Sequence, residues 1–356
     1  MNNALQTLML ALAQDENAAA GACLFVNARL NATGHADVPR DVTAVQWFAP
    51  FVAEFTGAVS CVEDVEGEFD TLLMLAPKNR VEAAYVFARG FSHLKKGGRF
   101  YVAAANDAGG KSLHKMLQKM GVDDFEPLSK HKAKAVYGVK GGFDAAAINA
   151  ALLAGGVQDV LGGEYVSQPG VFGWSKIDKG SELLVQHVPD DLRGKGADFG
   201  CGYGYLSRHV VQHCAGVERL YAIDADARAI ACAEQNLIKS SFPRKRGSRT
   251  DKEQIPDQVG GDDGRVEFLW SDLTKSQSLP PLDFIIMNPP FHQDKAADTA
   301  IGLAFIETAH AALKTGGRLF MVANAHLPYE HMLQQKFTSC DKLHEGQGFK
   351  VYGAVK

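Results

Sequence analysis

The sequence predicts two α/β domains in tandem, each built on a mainly parallel sheet with helices on both faces, the second intact and the first degenerate. Three observations carry that expectation. Apolar runs bounded by turn residues alternate with helical patterns. Three short blocks recur in the same order at a nearly constant offset of roughly 215 residues, the mark of an internal repeat. The chain has 356 residues, enough for two domains at roughly 150 residues each.

The repeat is read from three pairs of segments. Asp70-Thr-Leu-Leu-Met-Leu-Ala-Pro77 resembles Asp283-Phe-Ile-Ile-Met-Asn-Pro-Pro290, Leu94-Lys-Lys-Gly-Gly-Arg99 resembles Leu313-Lys-Thr-Gly-Gly-Arg318, and Val136-Tyr-Gly138 resembles Val351-Tyr-Gly353. The copies part where chemistry would sit. Asn288-Pro289-Pro290 faces Leu75-Ala76-Pro77, and the early strand Cys23–Ala28 has no glycine after it. The first copy is therefore expected to keep the fold and lack the site. The Ala/Gly-rich stretch Gly141–Val160 reads as a short helix with flexible ends, hence a linker. That places the domains at 1–150 and 151–356.

In the second domain the expected strands are Gly196–Phe199, Arg219–Ile223, Val266–Leu269, Phe284–Met287 and Arg318–Ala323, with Phe349–Val355 an antiparallel edge. Helices are expected near Tyr205–His213, Ala227–Ile238 and Ala297–Leu313. The span from Asp224 to Asp272 is too long for one helix and one strand. Its surplus, about 239–264, is rich in Pro, Gly and Ser and reads as an inserted surface loop, with Arg244-Lys245-Arg246 solvated rather than on RNA.

Composition narrows the function classes. With 46% apolar and 22% charged residues the chain is neither disordered nor fibrous. No apolar run approaches the roughly 18 residues of a membrane span. The first stretch lacks a basic flank and is interrupted by Asp15 and Glu16, so it reads as a helix and not a leader. Six cysteines without a CxxC pair fit a reduced, cytoplasmic chain with no metal site. A formal net charge of −4 excludes non-specific coating of nucleic acid, so RNA contact would need a local patch. Lys111, His114, Lys115, Lys119, Lys130, His131, Lys132, Lys134 and Lys140 supply one in the first domain.

The chemistry-bearing residues follow the strands. Asp198-Phe-Gly200-Cys201-Gly202-Tyr-Gly204 lets the backbone turn sharply and approach a ligand. Alone it fits a dinucleotide loop, a nucleoside loop or a tight turn. Asp224 ends the next strand, where it would accept ribose hydroxyls or cap a helix. The absence of GxGxxG argues against NAD and leaves a ribose-and-methionine ligand open. Asp272 follows the third strand, placed to accept an adenine amine or to stand as a loop acid. In Asn288-Pro289-Pro290-Phe291 two prolines remove donors and leave two acceptors, the Asn288 side chain and the Pro289 carbonyl, suited to an exocyclic –NH₂. Phe291 would stack on the base, and His292 reads as a rim residue rather than a base.

Together these motifs resemble the S-adenosylmethionine-dependent amino methyltransferases. Pro169–Phe172, Gly180-Ser-Glu-Leu-Leu184, Val322–Ala325 with Leu327-Pro-Tyr329, and Phe349–Tyr352 make the chain similar to the bacterial enzymes that methylate the N2 amine of guanine 1207 in 16S ribosomal RNA. The resemblance implies two Rossmann-like class I methyltransferase domains and an active second domain using S-adenosyl-L-methionine. It further implies a first domain that aids folding and RNA binding, and 16S rRNA as partner, within the 30S subunit. A cytoplasmic monomer is expected, without membrane or DNA partners. The insert and Cys201 depart from the pattern without disturbing it. The competing readings are an amino methyltransferase of DNA adenine or protein glutamine, and a non-catalytic RNA-binding assembly factor.

Overall fold

A computed structural model of the chain describes residues 2–16, 18, 21–30, 42–52, 54–55, 59–60, 65–240, 264–275, 277–290 and 295–356. Most of the expected insert, Arg244–Arg246, Phe291 and His292 lie outside them. The chain divides into two compact units, Met1–Gln158 with Gln168–Gly170, and Asp159–Ser167 with Val171–Lys356.

The first unit carries β1 (Cys23–Val26), β2 (Val42–Val45), β3 (Val59–Ser60), β4 (Phe69–Leu75), β5 (Leu94–Ala105), β6 (Phe125–Lys130) and β7 (Ala133–Val139). Its helices are α1 (Asn3–Gln14), α2 (Ala49–Val52), α3 (Arg80–Ser92), α4 (Leu113–Gln118) and α5 (Ala145–Gly155). Sheet order is β3-β2-β1-β4-β5-β7-β6, parallel as far as β5 and antiparallel beyond it. The opening stretch is the helix expected. Asn2 Oδ1 accepts from the Ala4 and Leu5 amides at 3.1 Å, and Leu5, Leu8 and Ala11 pack under Phe25, Leu73 and Tyr101.

The second unit opens with the two-stranded pair β8 (Gln158–Val160) and β9 (Tyr165–Ser167) and the short α6 (Lys179–Val185). Then follow β10 (Arg193–Phe199), α7 (Tyr205–His213), β11 (Gly216–Asp224), α8 (Ala227–Ser240), β12 (Val266–Trp270) and β13 (Leu282–Met287). Last come α9 (Lys295–Ala312), β14 (Leu313–Asn324), α10 (Tyr329–Lys336), β15 (Ser339–Gly346) and β16 (Phe349–Val355). The order β12-β11-β10-β13-β14-β16-β15 repeats the first unit's topology strand for strand; β16 is antiparallel as expected but is not the edge, because β15 pairs along its other side. Alternation along the strands splits the core. Ala197, Phe199, Ile285 and Met287 line one face, while Leu220, Ala222, Phe284 and Ile286 line the other.

The repeat extends to polar pins the sequence comparison did not weigh. Asp70 accepts from the Ala22 amide at 3.0 Å and from Lys95 Nζ at 2.7 Å; Asp283 accepts from the Lys195 amide at 2.8 Å and Lys314 Nζ at 2.9 Å. Lys140 Nζ donates to the carbonyls of Phe91 and Leu94, and Lys356 Nζ to those of His310 and Leu313. Lys140 thus belongs to the fold and not to a phosphate-binding face. It sits where a helix ends and a strand begins, satisfying carbonyls that the helix leaves open.

The short helix expected within Gly141–Val160 is present as α5, but it packs into the first unit and is not a linker. Asp144 caps α5, and α5 packs on α3 so closely that a Cβ on Gly155 would lie 2.1 Å from Tyr85 Cβ. Helix α5 runs through residue 150 unbroken, and the division between units falls after it. Periodicity could not reveal this, because an Ala-rich helix packs through its small size and not through an apolar stripe.

Lys140→Met is expected to lower stability by about 2 kcal/mol, since two charge-assisted bonds to half-buried carbonyls are lost. Urea denaturation of the full chain checks the loss. RNA affinity of the folded variant should stay within twofold of the parent.

Candidate active site

The ends of β10 and β13 line one cavity in the second unit, and Asp224 at the end of β11 bonds the loop beside it. After β10 the chain turns sharply, with the Gly200 and Cys201 amides donating to the Ile223 carbonyl at 2.8 and 3.0 Å. Gly200, Gly202 and Gly204 have φ of 77°, 55° and 89°, the left-handed region that glycine adopts freely. They do separate work. A Cβ on Gly204 would meet Leu237 at 2.9 Å, so that glycine permits close packing of α7 on α8, whereas a Cβ on Gly202 would meet nothing within 4 Å. The loop is therefore tight against the core at one end and open at the other. Asn236, fully buried on α8, holds the loop by donating to the Tyr203 carbonyl at 2.7 Å and also bonds both backbone groups of Val166.

Asp224 receives the Gly202 amide at 2.8 Å on Oδ2 and the Asp226 amide at 2.9 Å on Oδ1. The cap at the start of α8 is Asp226, which accepts from the Arg228 amide, so Asp224 is not occupied in capping. Each of its oxygens keeps a second lone pair for a ligand. Asp198 is fully buried. Its Oδ2 accepts from Ser207 Oγ at 2.6 Å, and its Oδ1 has no partner among the described residues. Burial raises the Asp198 carboxyl to about 7, against the bond from Ser207, and raises Asp224 to about 6. Cys201 is buried in the core with its thiol pushed well above its ordinary value, so it contributes its backbone turn and an apolar side chain. Asp272 folds back locally, its Oδ1 accepting from the Thr274 amide and hydroxyl and its Oδ2 3.6 Å from Lys275.

Asn288 is the best-determined side chain of the set. Its Nδ2 donates to Asp178 Oδ2 at 2.8 Å and to Ser181 Oγ at 2.9 Å. A carboxylate only accepts, so the amide nitrogen must face Asp178. That turns Oδ1 the other way, buried and without a partner among the described residues. Asp178 also caps α6 by accepting from the Ser181 amide at 3.0 Å, so one helix start fixes the amide. A Cβ on Gly180 would lie 3.2 Å from the Phe349 ring, so the glycine lets α6 seat closely against β16. Sequence reasoning quoted Ser181 only as part of a resemblance and missed Asp178 altogether. The signal available was an Asp three residues before Ser181 at a helix start. Phe172, Tyr203 and Tyr205 complete the cavity with Gly200, Gly202 and Asn288. Pro289 is buried beside Asn288 and Pro290 is half-buried.

This sheet order, with a glycine loop after the first strand, an acid after the second and Asn-Pro-Pro after the fourth, defines the class I methyltransferase fold, whose cofactor is S-adenosylmethionine. The family model described as methyltransferase small domain matches residues 162–353, and that described as methyltransferase small domain N-terminal matches residues 41–125. Among curated proteins, ribosomal RNA small subunit methyltransferase C of Shewanella halifaxensis is 31% identical over 81% of this chain and 78% of its own length. The Escherichia coli protein of the same name is 30% identical over 83% and 78%. A solved structure of a T. thermophilus 16S rRNA N2 G1207 methyltransferase, in complex with AdoMet and guanosine, matches 99% of this chain and 92% of its own with a TM-score of 0.74 at 20% identity. The chain belongs to the ribosomal RNA small subunit methyltransferase C family.

The residues present fit the cofactor. The unpartnered Asp198 Oδ1 suits an ammonium, Asp224 has lone pairs for ribose hydroxyls, and Gly202 leaves open space beside them. Between the ordinary 3.8 and about 7 the folded chain holds protons that the unfolded chain has released, so the stability contribution of these acids falls as pH rises through that window. A cationic head group favours the ionised carboxyl. Cofactor binding should therefore release protons below about pH 7 and tighten as pH rises through it. Calorimetry in buffers of different ionisation enthalpy measures the release, and Asp198→Asn should remove most of it.

Proposed function

We propose that this chain transfers a methyl group from S-adenosylmethionine to the exocyclic N2 amine of guanine 1207 in 16S ribosomal RNA, as the family's names and the solved relative's description indicate for those proteins. The observation that carries this is the Asn288 amide, its nitrogen anchored by Asp178 and Ser181 and its oxygen left buried and unpartnered beside the glycine loop. A fixed acceptor at this point selects an –NH₂ group on the substrate.

When bound, the cofactor supplies a sulfonium methyl that is already strongly electrophilic, so the protein's part is orientation and exclusion of water. Asp198, Gly200, Cys201, Gly202, Gly204 and Asp224 would hold it. Asp272 carries the least support, since its carboxylate already serves Thr274 and Lys275. Asn288 Oδ1 and the Pro289 carbonyl would accept the two N2 protons and aim the nitrogen lone pair. Pro290 removes a competing donor, and Phe291 would stack on the base. The proton leaves for solvent after the new N–C bond forms, because the alkylated nitrogen is then strongly acidic. A guanine in a helix would be extruded into the cavity.

The exposed Lys130, His131 and Lys132 at the β6–β7 turn, with half-buried Lys134, would contact phosphates, giving the first unit an RNA-binding role. Among the described residues no helix is long and apolar enough to cross a membrane. The proposal includes a cytoplasmic monomer acting on the assembled 30S particle.

Tritiated cofactor offered with naked 16S rRNA, 30S subunits, DNA and protein tests the reading, and label should enter the RNA at one guanine N2. Label in DNA or protein, or none anywhere, overturns it. Asn288→Ala should lower kcat by about 100-fold or more with cofactor affinity within twofold. Asp178→Ala frees the amide to rotate and should lower kcat by about tenfold or more, with single-turnover kinetics separating that loss from binding.

A further inference from the structure

The first unit lacks the glycine loop and the Asn-Pro-Pro segment, yet it keeps a cleft at the corresponding strand ends. Its volume is about 370 Å³, within the roughly 300–1,000 Å³ of small-ligand sites. Ala76 and Pro77, directly after β4, form one wall, and Ala104 near the end of β5 another. In open α/β sheets ligands bind outside the carboxyl ends of the strands, which is where this cleft lies.

The floor and the rim differ in chemistry. Val81, Ala83, Leu113, Met116 and Met120 make the interior apolar, and the two thioethers are polarisable groups that pack well against an aromatic face. Ser112, the neutral hydroxyl in the lining, already donates to the Gly109 carbonyl at 3.0 Å. The interior therefore takes a flat ring by face contact and offers little for reading its edge. The rim carries Lys78, Arg80, Lys115 and Lys119, all exposed, and the lining contains no carboxylate. Among the described residues none of the four is ion-paired. On a chain of net charge −4 such a concentration of unpaired cations around an apolar slot is complementary to one chemistry, a ring with phosphates on either side.

We infer that this cleft binds a single unpaired nucleotide of the RNA substrate, the base lying on Met116 and Met120 and the flanking phosphates meeting Lys78, Arg80, Lys115 and Lys119. The inference rests on the reading that the substrate is RNA. It assigns to the degenerate unit a retained nucleotide cleft whose reacting groups are gone, Leu75-Ala76-Pro77 standing where the second unit has Asn288-Pro289-Pro290. Such a subsite would hold the RNA at a second point, independent of the target guanine, and would tolerate any base there.

The test uses the full-length chain and 16S rRNA substituted with 4-thiouridine, irradiated and mapped by peptide mass. Crosslinks within residues 76–84 or 113–120 are expected. Met116→Trp, which fills the slot without changing charge, should weaken RNA binding by about tenfold while leaving the salt slope unchanged. Lys115→Ala with Lys119→Ala should flatten that slope by about two units. Cofactor titration of each variant, which reads the second unit, confirms that the chain is folded. If wild-type protein methylates the RNA but crosslinks map elsewhere, and the filled variant binds normally, the subsite is overturned while the function stands. If the wild type neither binds nor methylates RNA, both fall. Crosslinks that vanish with added free mononucleotide while RNA affinity is unaffected would assign the cleft to a free nucleotide and overturn the RNA subsite.

Discussion

A carboxylate can accept hydrogen bonds and cannot donate them, and the candidate site depends on that asymmetry. Asp178 faces the Asn288 side chain, so the amide commits its nitrogen to that carboxylate and leaves its oxygen buried without a partner among the described residues. Ser181 adds a second acceptor for the same nitrogen, and the α6 cap holds Asp178 itself. The parallel strands β10, β11 and β13 bring their carboxyl ends together, and Asn236 ties the glycine loop to the core behind it. The cost is a buried oxygen without a partner, which a substrate –NH₂ would relieve.

The same logic of unsatisfied groups runs through the cofactor side. Asp198 is buried with a bond from Ser207 Oγ and an oxygen without a partner among the described residues, and burial raises its carboxyl to about 7, which a cation would lower. A site arranged in this way is less stable on its own than with its ligands. The fold tolerates this because the surrounding core is apolar on both sheet faces and the polar pins at the opposite strand ends are fully paired.

Duplication explains why those pins occur twice. The Asp70–Lys95 and Asp283–Lys314 pairs, and the lysines that follow β7 and β16, close the amino-terminal ends of the two sheets in the same way. The carboxyl ends have diverged. One carries Asn288 between a glycine loop and a helix cap, while the other carries Ala76 beside methionines and basic residues. The pins that close the sheet and the groups that carry the chemistry lie at opposite strand ends, so a unit can lose its chemistry and keep its architecture.

The five parallel strands of the second unit, the antiparallel direction of β16, the tandem repeat and the glycine loop were legible in the residues, because apolar runs and glycine-rich turns leave marks in a local window, whereas β8, β9 and the edge strand β15 were not. The Asn288-Pro289-Pro290 motif was legible for the same reason: two prolines and a polar residue after an apolar strand have few structural uses. Nothing local announced that Asp178, 110 residues away, would orient Asn288. Nor did the sequence distinguish Lys140, which bonds two carbonyls, from the exposed lysines beside it, or show that the Ala-rich α5 packs on α3. The order of amino acids determined which segments become strands and which loops carry glycine. Only the tertiary structure decided which polar atoms meet and which are left unpaired, because that depends on groups distant in the chain arriving within about 3 Å of each other.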